Sequence, residues 1–176
     1  MAGENNTKTI LNNTLLFIIR LLNQHTIKNW ILGYGTLLGM VRENSCINGD
    51  DDVDIIIDNT TYDTIKKILI DNNFEIEYGY GINTSRKILK TKPTNEYCSI
   101  DFYMATITNN GDFVDPWEKV IWSKCYNDEN KLIQHEWNGE KLYLPNNYIQ
   151  KLINRYGEDW KIPQNSKGPQ PPKNIL

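Results

Sequence analysis

At 176 residues with a formal net charge of −3 and a pI near 5.4, the chain is long enough for one domain with its own core and too short for two of ordinary size. It lacks the basic surplus that a duplex nucleic acid partner requires. No apolar run approaches the roughly 20 residues that span a bilayer, and the start MAGENNTK lacks the basic and apolar parts of a signal peptide, so a cytoplasmic protein without a membrane span is expected.

Residues 8–24 place Leu11, Leu15, Ile18 and Leu22 on one stripe, which predicts an amphipathic helix packed on a sheet. Trp30, Ile31 and Leu32 read as a short buried strand ended by Gly33 and Gly35, and TLLGMVR from Thr36 reads as a helix. Five aspartates then fall within nine residues: Asp50, Asp51, Asp52, Asp54 and Asp58. From Asp52, acidic and apolar residues alternate with period two, predicting a strand over 52–57. Asp52 and Asp54 would share one face, about 7 Å apart along the strand. Carboxylates this close repel unless a cation sits among them, so the run reads as a divalent metal site more than as a solvated turn. Its start is like a calcium-binding loop, but Ile55 and Thr61 stand where that loop needs Gly and a bidentate Glu.

Thr60 and Asp63 predict a capping box for a helix reaching Asp71, with Tyr62, Ile65, Ile68 and Leu69 facing inward. Strand-like pieces follow at 74–78, 86–91 and 98–104. In the last, Cys98, Ile100, Phe102 and Met104 share one face and Ser99, Asp101 and Tyr103 the other. Asp101 has no basic neighbour in sequence and is expensive to bury without a cation. Arg86, Lys90 and Lys92 lie on one face of the middle piece. They suit an anionic substrate or serve as charged guards of an edge strand, and are left outside the site. Asn138-Gly139 predicts a tight hairpin. A helix after Pro145 would bury Ile149, Leu152, Ile153 and Tyr156 and stop at Gly157. Residues 1–164 read as a single domain, and 165–176 as a Pro-rich, extended and mobile tail.

Other residues carry less. Cys46, Cys98 and Cys125 form no C-x-x-C pair, and only His25 and His135 are present, which argues against a disulfide framework, a zinc site or histidine-centred chemistry. Trp117, Trp122, Trp137 and Trp160 read as packing more than as a platform for a base. Asn and Ile each occur 23 times, a bias of AT-rich coding DNA, viral or parasitic, rather than of function; a viral chain would act in a host cytoplasm.

GTLLGMVR at 35–42 followed by DDDVDI at 50–55 resembles the nucleotidyltransferase fold. Within it the chain is similar to the LicD and fukutin-related family, whose hallmark is GTLLG-x-x-R and then an acidic D-x-D-x-D-I segment. The likeness continues in SIDFY around Asp101, where the family has its third metal-binding acid, and in NGEKLYLP and YIQKLINRYGEDW. It spans residues 30–163. The chain departs from the family in having Asn48-Gly49 where Pro-Trp is common and Glu43 where a His is common.

The resemblance implies an α+β, nucleotidyltransferase-like fold: a small mixed β-sheet with helices packed on it, plus a C-terminal hairpin and helix. It also implies a transferase that uses Mg²⁺ or Mn²⁺, two ions, to move a phosphocholine- or ribitol-phosphate-like group from a nucleotide diphosphate donor, a CDP-alcohol, to a glycan hydroxyl. In such in-line displacement the protein positions reactants and neutralises charge. Asp52 and Asp54 would ligate both metals. Asp101 would complete the nucleophile-side site and help take the acceptor proton, and Asp50 would be an outer ligand. Gly33, Gly35 and Thr36 would bring backbone N–H groups to the donor phosphate, and Arg42 would reach it from the far end of the same helix. Two alternatives stay open: a sugar-nucleotide glycosyltransferase using Asp-x-Asp, which needs a larger donor domain, and a nucleotide- and metal-binding pseudoenzyme of the same fold.

Overall fold

A computed structural model describes residues 6–163 and 174–176. Helix α1 (Lys8–Gln24) buries the anticipated stripe, Leu11, Leu15, Ile18 and Leu22. Strand β1 (Trp30–Leu32) leads through Gly33 into α2 (Tyr34–Glu43), which begins two residues before Thr36. Strand β2 (Asp52–Asp58) is followed by a 3-10 turn (Asn59–Thr61) and α3 (Tyr62–Asp71). Then come β3 (Ile88–Lys90), β4 (Ser99–Ile107), β5 (Phe113–Asp115) and β6 (Val120–Trp122). The hairpin β7 (Ile133–Trp137) and β8 (Glu140–Leu144) precedes α4 (Tyr148–Tyr156), and β9 (Asn174–Ile175) closes the described chain.

The sheet is mixed, as anticipated. β2 pairs antiparallel with β1 and parallel with β4, which α3 makes possible by carrying the chain back across. The long β4 has β3 along its first part and β5 along its last, and β6 and β9 extend that side. Val53, Ile55, Ile56 and Ile57 of β2 and Phe102 of β4 are fully buried, which is the pattern of a strand covered on both faces. Asn138 (φ 50°) and Gly139 (φ 77°) turn the β7–β8 hairpin with left-handed backbone at both positions, as the Asn-Gly pair predicts.

Four local expectations change. Residues 74–78 form no strand; Ile76 makes one isolated bridge to Thr91. The capping box is absent because the 3-10 turn runs straight into α3: Asp58 accepts from the Thr60 N–H at 2.9 Å, while Asp63 binds Arg86. In α4, Ile149 is 43% exposed, while Lys151 is 1% exposed and buried along with Leu152. Residues 165–173 of the anticipated tail lie outside the described residues, whereas Asn174–Ile175 pair with β6 and bury Ile175 completely. Cys46, Cys98 and Cys125 are buried and free. Among the described residues no helix is long and apolar enough to cross a membrane.

Candidate active site

Strand register assembles the site. Asp54 of β2 lies opposite Asp101 of β4, and Lys90 of β3 lies opposite Asp101 from the other side. In-register residues point to the same face of a sheet, so Asp54, Asp101 and Lys90 form a row across three strands, with Asp52 one step along β2. Asp54 and Asp101 are each 5% exposed. The basic partner that Asp101 lacks in sequence is therefore supplied through space. Lys90 Nζ donates to Asp101 Oδ2 at 2.8 Å and to Asp52 Oδ2 at 3.3 Å. It also stands 2.6 Å from Asp101 Oδ1, in charge contact without hydrogen-bond geometry, which leaves that buried oxygen with no hydrogen bond. Lys90 thus belongs among the acids. Arg86 and Lys92, the other two cations of its stretch, pair outside with Asp63 and Glu75.

Asp54 is held from the glycine turn. The Gly35 N–H donates to Asp54 Oδ2 at 3.0 Å, the Tyr103 hydroxyl to Oδ1 at 3.2 Å, and the Asp54 N–H to Thr36 Oγ1 at 2.8 Å. The Gly33 N–H bonds the Asp54 carbonyl at 3.1 Å. Of the three residues anticipated to bring amides to a donor phosphate, Gly35 gives its N–H to the Asp54 carboxylate and Gly33 gives its N–H to the Asp54 main-chain carbonyl. A Cβ at Gly35 would stand 2.5 Å from Asp50 Oδ2, so any larger residue here would require the Asp50 carboxylate to move.

Among the described residues, Asp50, Asp51 and Asp52 bring carboxylate oxygens within 4.8 Å of one another, a set that holds two of the four anticipated ligands Asp50, Asp52, Asp54 and Asp101. The Lys90 ammonium lies between Asp52 and Asp101. Asp51, exposed, was not anticipated as a ligand, although its place inside the DDD run was the signal. This all-oxygen cluster is able to hold a hard divalent cation.

Electrostatics agree. Burial, then the Asp52 charge, pushes Asp50 up to about 6. Burial and Asp52 likewise push Asp101 up to about 6 against the pull of Lys90. Burial raises Asp52 despite Lys90, and raises Asp54 well above the usual carboxylate range, reinforced by Asp52, Asp101 and Asp50. One ammonium does not neutralise this face.

Beside it lies a group that the sequence did not reveal. Tyr34, the first residue of α2, donates its hydroxyl to Asp115 of β5. Its ring packs on Tyr103 with centroids 4.6 Å apart, and the Arg155 guanidinium of α4 sits 4.5 Å above it. Asp115 and Arg155 are 81 and more residues from Tyr34, with no local pattern to announce them.

The loop that delivers Asp50 is tied to α1. Asn48 Oδ1 accepts from the Asn6 and Lys8 N–H groups at 3.1 and 3.3 Å. The Gly49 N–H donates to Thr7 Oγ1 at 2.8 Å, and the Cys46 N–H to Asn12 Oδ1 at 2.9 Å. Glu43 pairs with Lys8 at 3.1 Å and with Arg42 at 2.7 Å. The three residues that depart from the family, Glu43, Asn48 and Gly49, all take part in this tie. Arg42, anticipated as a phosphate fork, is engaged by Glu43.

Comparison with known proteins agrees with this architecture. Residues 27–164 match the LicD/FKTN/FKRP nucleotidyltransferase domain. No curated protein matches the chain by sequence. Among solved structures, the lincosamide antibiotic adenylyltransferase LnuA, lincomycin-bound, aligns with TM-score 0.54 and 17% identity over 87% of this chain and 89% of that one. The antibiotic-resistance factor ANT(2'')-Ia aligns with TM-score 0.51 and 12% identity over 79% of this chain and 66% of that one. At these identities the likeness shows the nucleotidyltransferase fold. Matched across most of its length, the chain belongs to the LicD/FKTN/FKRP family of nucleotidyltransferase domains.

Proposed function

We propose that this protein is a metal-dependent transferase that moves a phospho-alcohol, phosphocholine- or ribitol-phosphate-like, from a CDP-alcohol to a hydroxyl of a glycan acceptor. Family and fold support a nucleotide-using transferase. The finer reading rests on one observation: Asp52, Asp54 and Asp101 share one sheet face at the start of α2, three carboxylates with a single ammonium, Lys90, among them.

Asp52 and Asp54 of β2 and Asp101 of β4 would hold Mg²⁺ or Mn²⁺, two ions, with Asp50 and Asp51 at the rim. Bound cations would supply charge to the transferring phosphoryl group and lower the pKa of the acceptor hydroxyl. The chain's own residues do the rest. The Gly35 N–H and the Tyr103 hydroxyl fix the Asp54 carboxylate, so no reorganisation is needed when charge builds. Asp101 would help to take the acceptor proton once its carboxylate is released from Lys90. Gly33, Gly35 and Thr36 set the helix start that the donor phosphates approach, and Arg42, once released from Glu43, supplies a fork-shaped donor.

A second reading, a nucleotide-binding module without turnover, is favoured by Lys90, whose ammonium already sits on Asp52 and Asp101. Turnover assays separate the two. With CDP-choline or CDP-ribitol, Mn²⁺ and a glycan acceptor panel, Asp52→Asn and Asp54→Asn should each lose about a thousandfold in kcat/KM, roughly 4 kcal/mol of transition-state stabilisation. Full turnover in either variant would overturn the assignment, and binding without turnover across donors would establish the second reading.

A further inference from the structure

We propose that the Lys90 ammonium is the resident counter-ion of the acidic face, and that a divalent cation enters by displacing it. The inference rests on the metal reading above and assigns Lys90 as a positioning residue for that site. Lys90 ends the short β3, and its register opposite Asp101 leaves the side chain no other face of the sheet. Its Nζ stands 2.6 and 2.8 Å from the two Asp101 oxygens and 3.3 Å from Asp52 Oδ2, so it bridges β2 and β4 at the level of the acids. These are the oxygens that a cation between Asp52 and Asp101 would need. Two positive charges cannot share them, because like charges at contact distance repel strongly in a poorly hydrated site.

The pair is also unlike an ion pair whose purpose is structural. A buried structural pair saturates the lone pairs and protons of both partners. Here Asp101 Oδ1 meets the Lys90 ammonium at 2.6 Å but off hydrogen-bond geometry, and Asp54, next in the row, receives nothing from Lys90. Lys90 is still 23% exposed along its side chain, and a flexible four-carbon stem gives the ammonium a route outward. It therefore holds Asp52 and Asp101 together before the metal arrives and weakens metal binding by competing for the same oxygens.

Calorimetric Mn²⁺ titration of the full chain without nucleotide tests this on wild type and Lys90→Met. The variant should bind Mn²⁺ at least tenfold more tightly, while melting lower than wild type in EDTA. A structural role alone would lower both stability and affinity. Unchanged or weaker Mn²⁺ binding by a folded Lys90→Met, alongside measurable binding by wild type, overturns the Lys90 proposal and leaves the metal reading standing. Failure of both proteins to bind Mn²⁺ overturns the two together. Should Lys90→Met not fold, wild type with ¹³Cε-labelled lysine gives an independent answer, with Lys90→Arg identifying the signal. The Lys90 resonance should move toward that of a free lysine as Mg²⁺ saturates the site; a fixed resonance at saturation overturns the proposal.

Discussion

Two buried carboxylates in this protein, Asp101 and Asp115, sit in neighbouring strands and are used in opposite ways. Asp115, 1% exposed, accepts from the Trp117 and Glu118 N–H groups at 2.8 and 3.2 Å on one oxygen and from the Tyr34 hydroxyl on the other. Its donors are neutral and fixed by the backbone or by packing. Asp101, 5% exposed, has the Lys90 ammonium as its side-chain partner, 2.6 Å from one oxygen and 2.8 Å from the other. Burial raises the pKa of both. What separates them is the kind of partner: a carboxylate whose lone pairs are claimed by neutral, rigid donors holds the fold, whereas one held by a flexible ammonium can exchange that partner for another cation.

Truncating each acid gives the largest expected effect and breaks the comparison most directly. Asp115→Ala leaves two amides and a phenol without an acceptor, a loss of about 3 kcal/mol, or a melting point lower by about 10 °C for a domain of this size. Its Mn²⁺ affinity should fall far less than that of Asp101→Ala. Equal losses of Mn²⁺ binding in the two variants, followed by calorimetry, would show that the distinction is false.

pH sharpens the same contrast at a smaller scale. Asp50 and Asp101 carry folded-state values raised to about 6, against an unfolded value near 3.9. Such groups favour the folded state when protonated, so their contribution is full below about pH 4 and is lost as pH rises through about 6. Urea denaturation in EDTA should show stability falling by roughly 4 kcal/mol between pH 4.5 and 7.5, about 2 for each group, and by about half as much in Asp101→Asn. Mn²⁺ should reverse the trend above pH 6, because its ligands must be ionised. A flat profile in EDTA would mean that Lys90 neutralises the face more fully than its geometry implies.

The smallest effect concerns the loop behind the acids. Asn48→Ala removes the side-chain oxygen that caps the start of α1, and thermal unfolding should report a loss of about 1 kcal/mol.

Much of this was legible in the sequence because it is local. The period-two alternation fixed the faces of β2 and β4, the apolar stripe gave α1, and Asn138-Gly139 gave the hairpin. The motifs GTLLG and DDDVD named the elements that carry the site. Pairing across the sheet was not legible. Alternation tells which face Asp101 shares with Tyr103 but not which strand lies beside it, so Lys90, only eleven residues away, read equally as a contact for an anionic substrate or as an edge-strand guard. Asp115 and Arg155 reach Tyr34 through packing of distant segments, which no spacing rule records. The capping box failed for a different reason: Asp58 made a competing turn one step earlier.

The tie between α1 and the loop of residues 46–49 carries a consequence for where the working unit ends. The family match begins at residue 27, after α1 is complete. Yet Thr7, Lys8 and Asn12 from that preceding segment bond the loop before Asp50, and the Thr14 hydroxyl accepts from the Cys98 N–H at the entry to β4. Helix and loop should therefore open as one cooperative unit, with the Cys46, Gly49 and Cys98 amides exchanging hydrogen together. A fragment cut to residues 27–164 would keep every motif and lose the brace that sets the distance between Asp50 and the strands behind it.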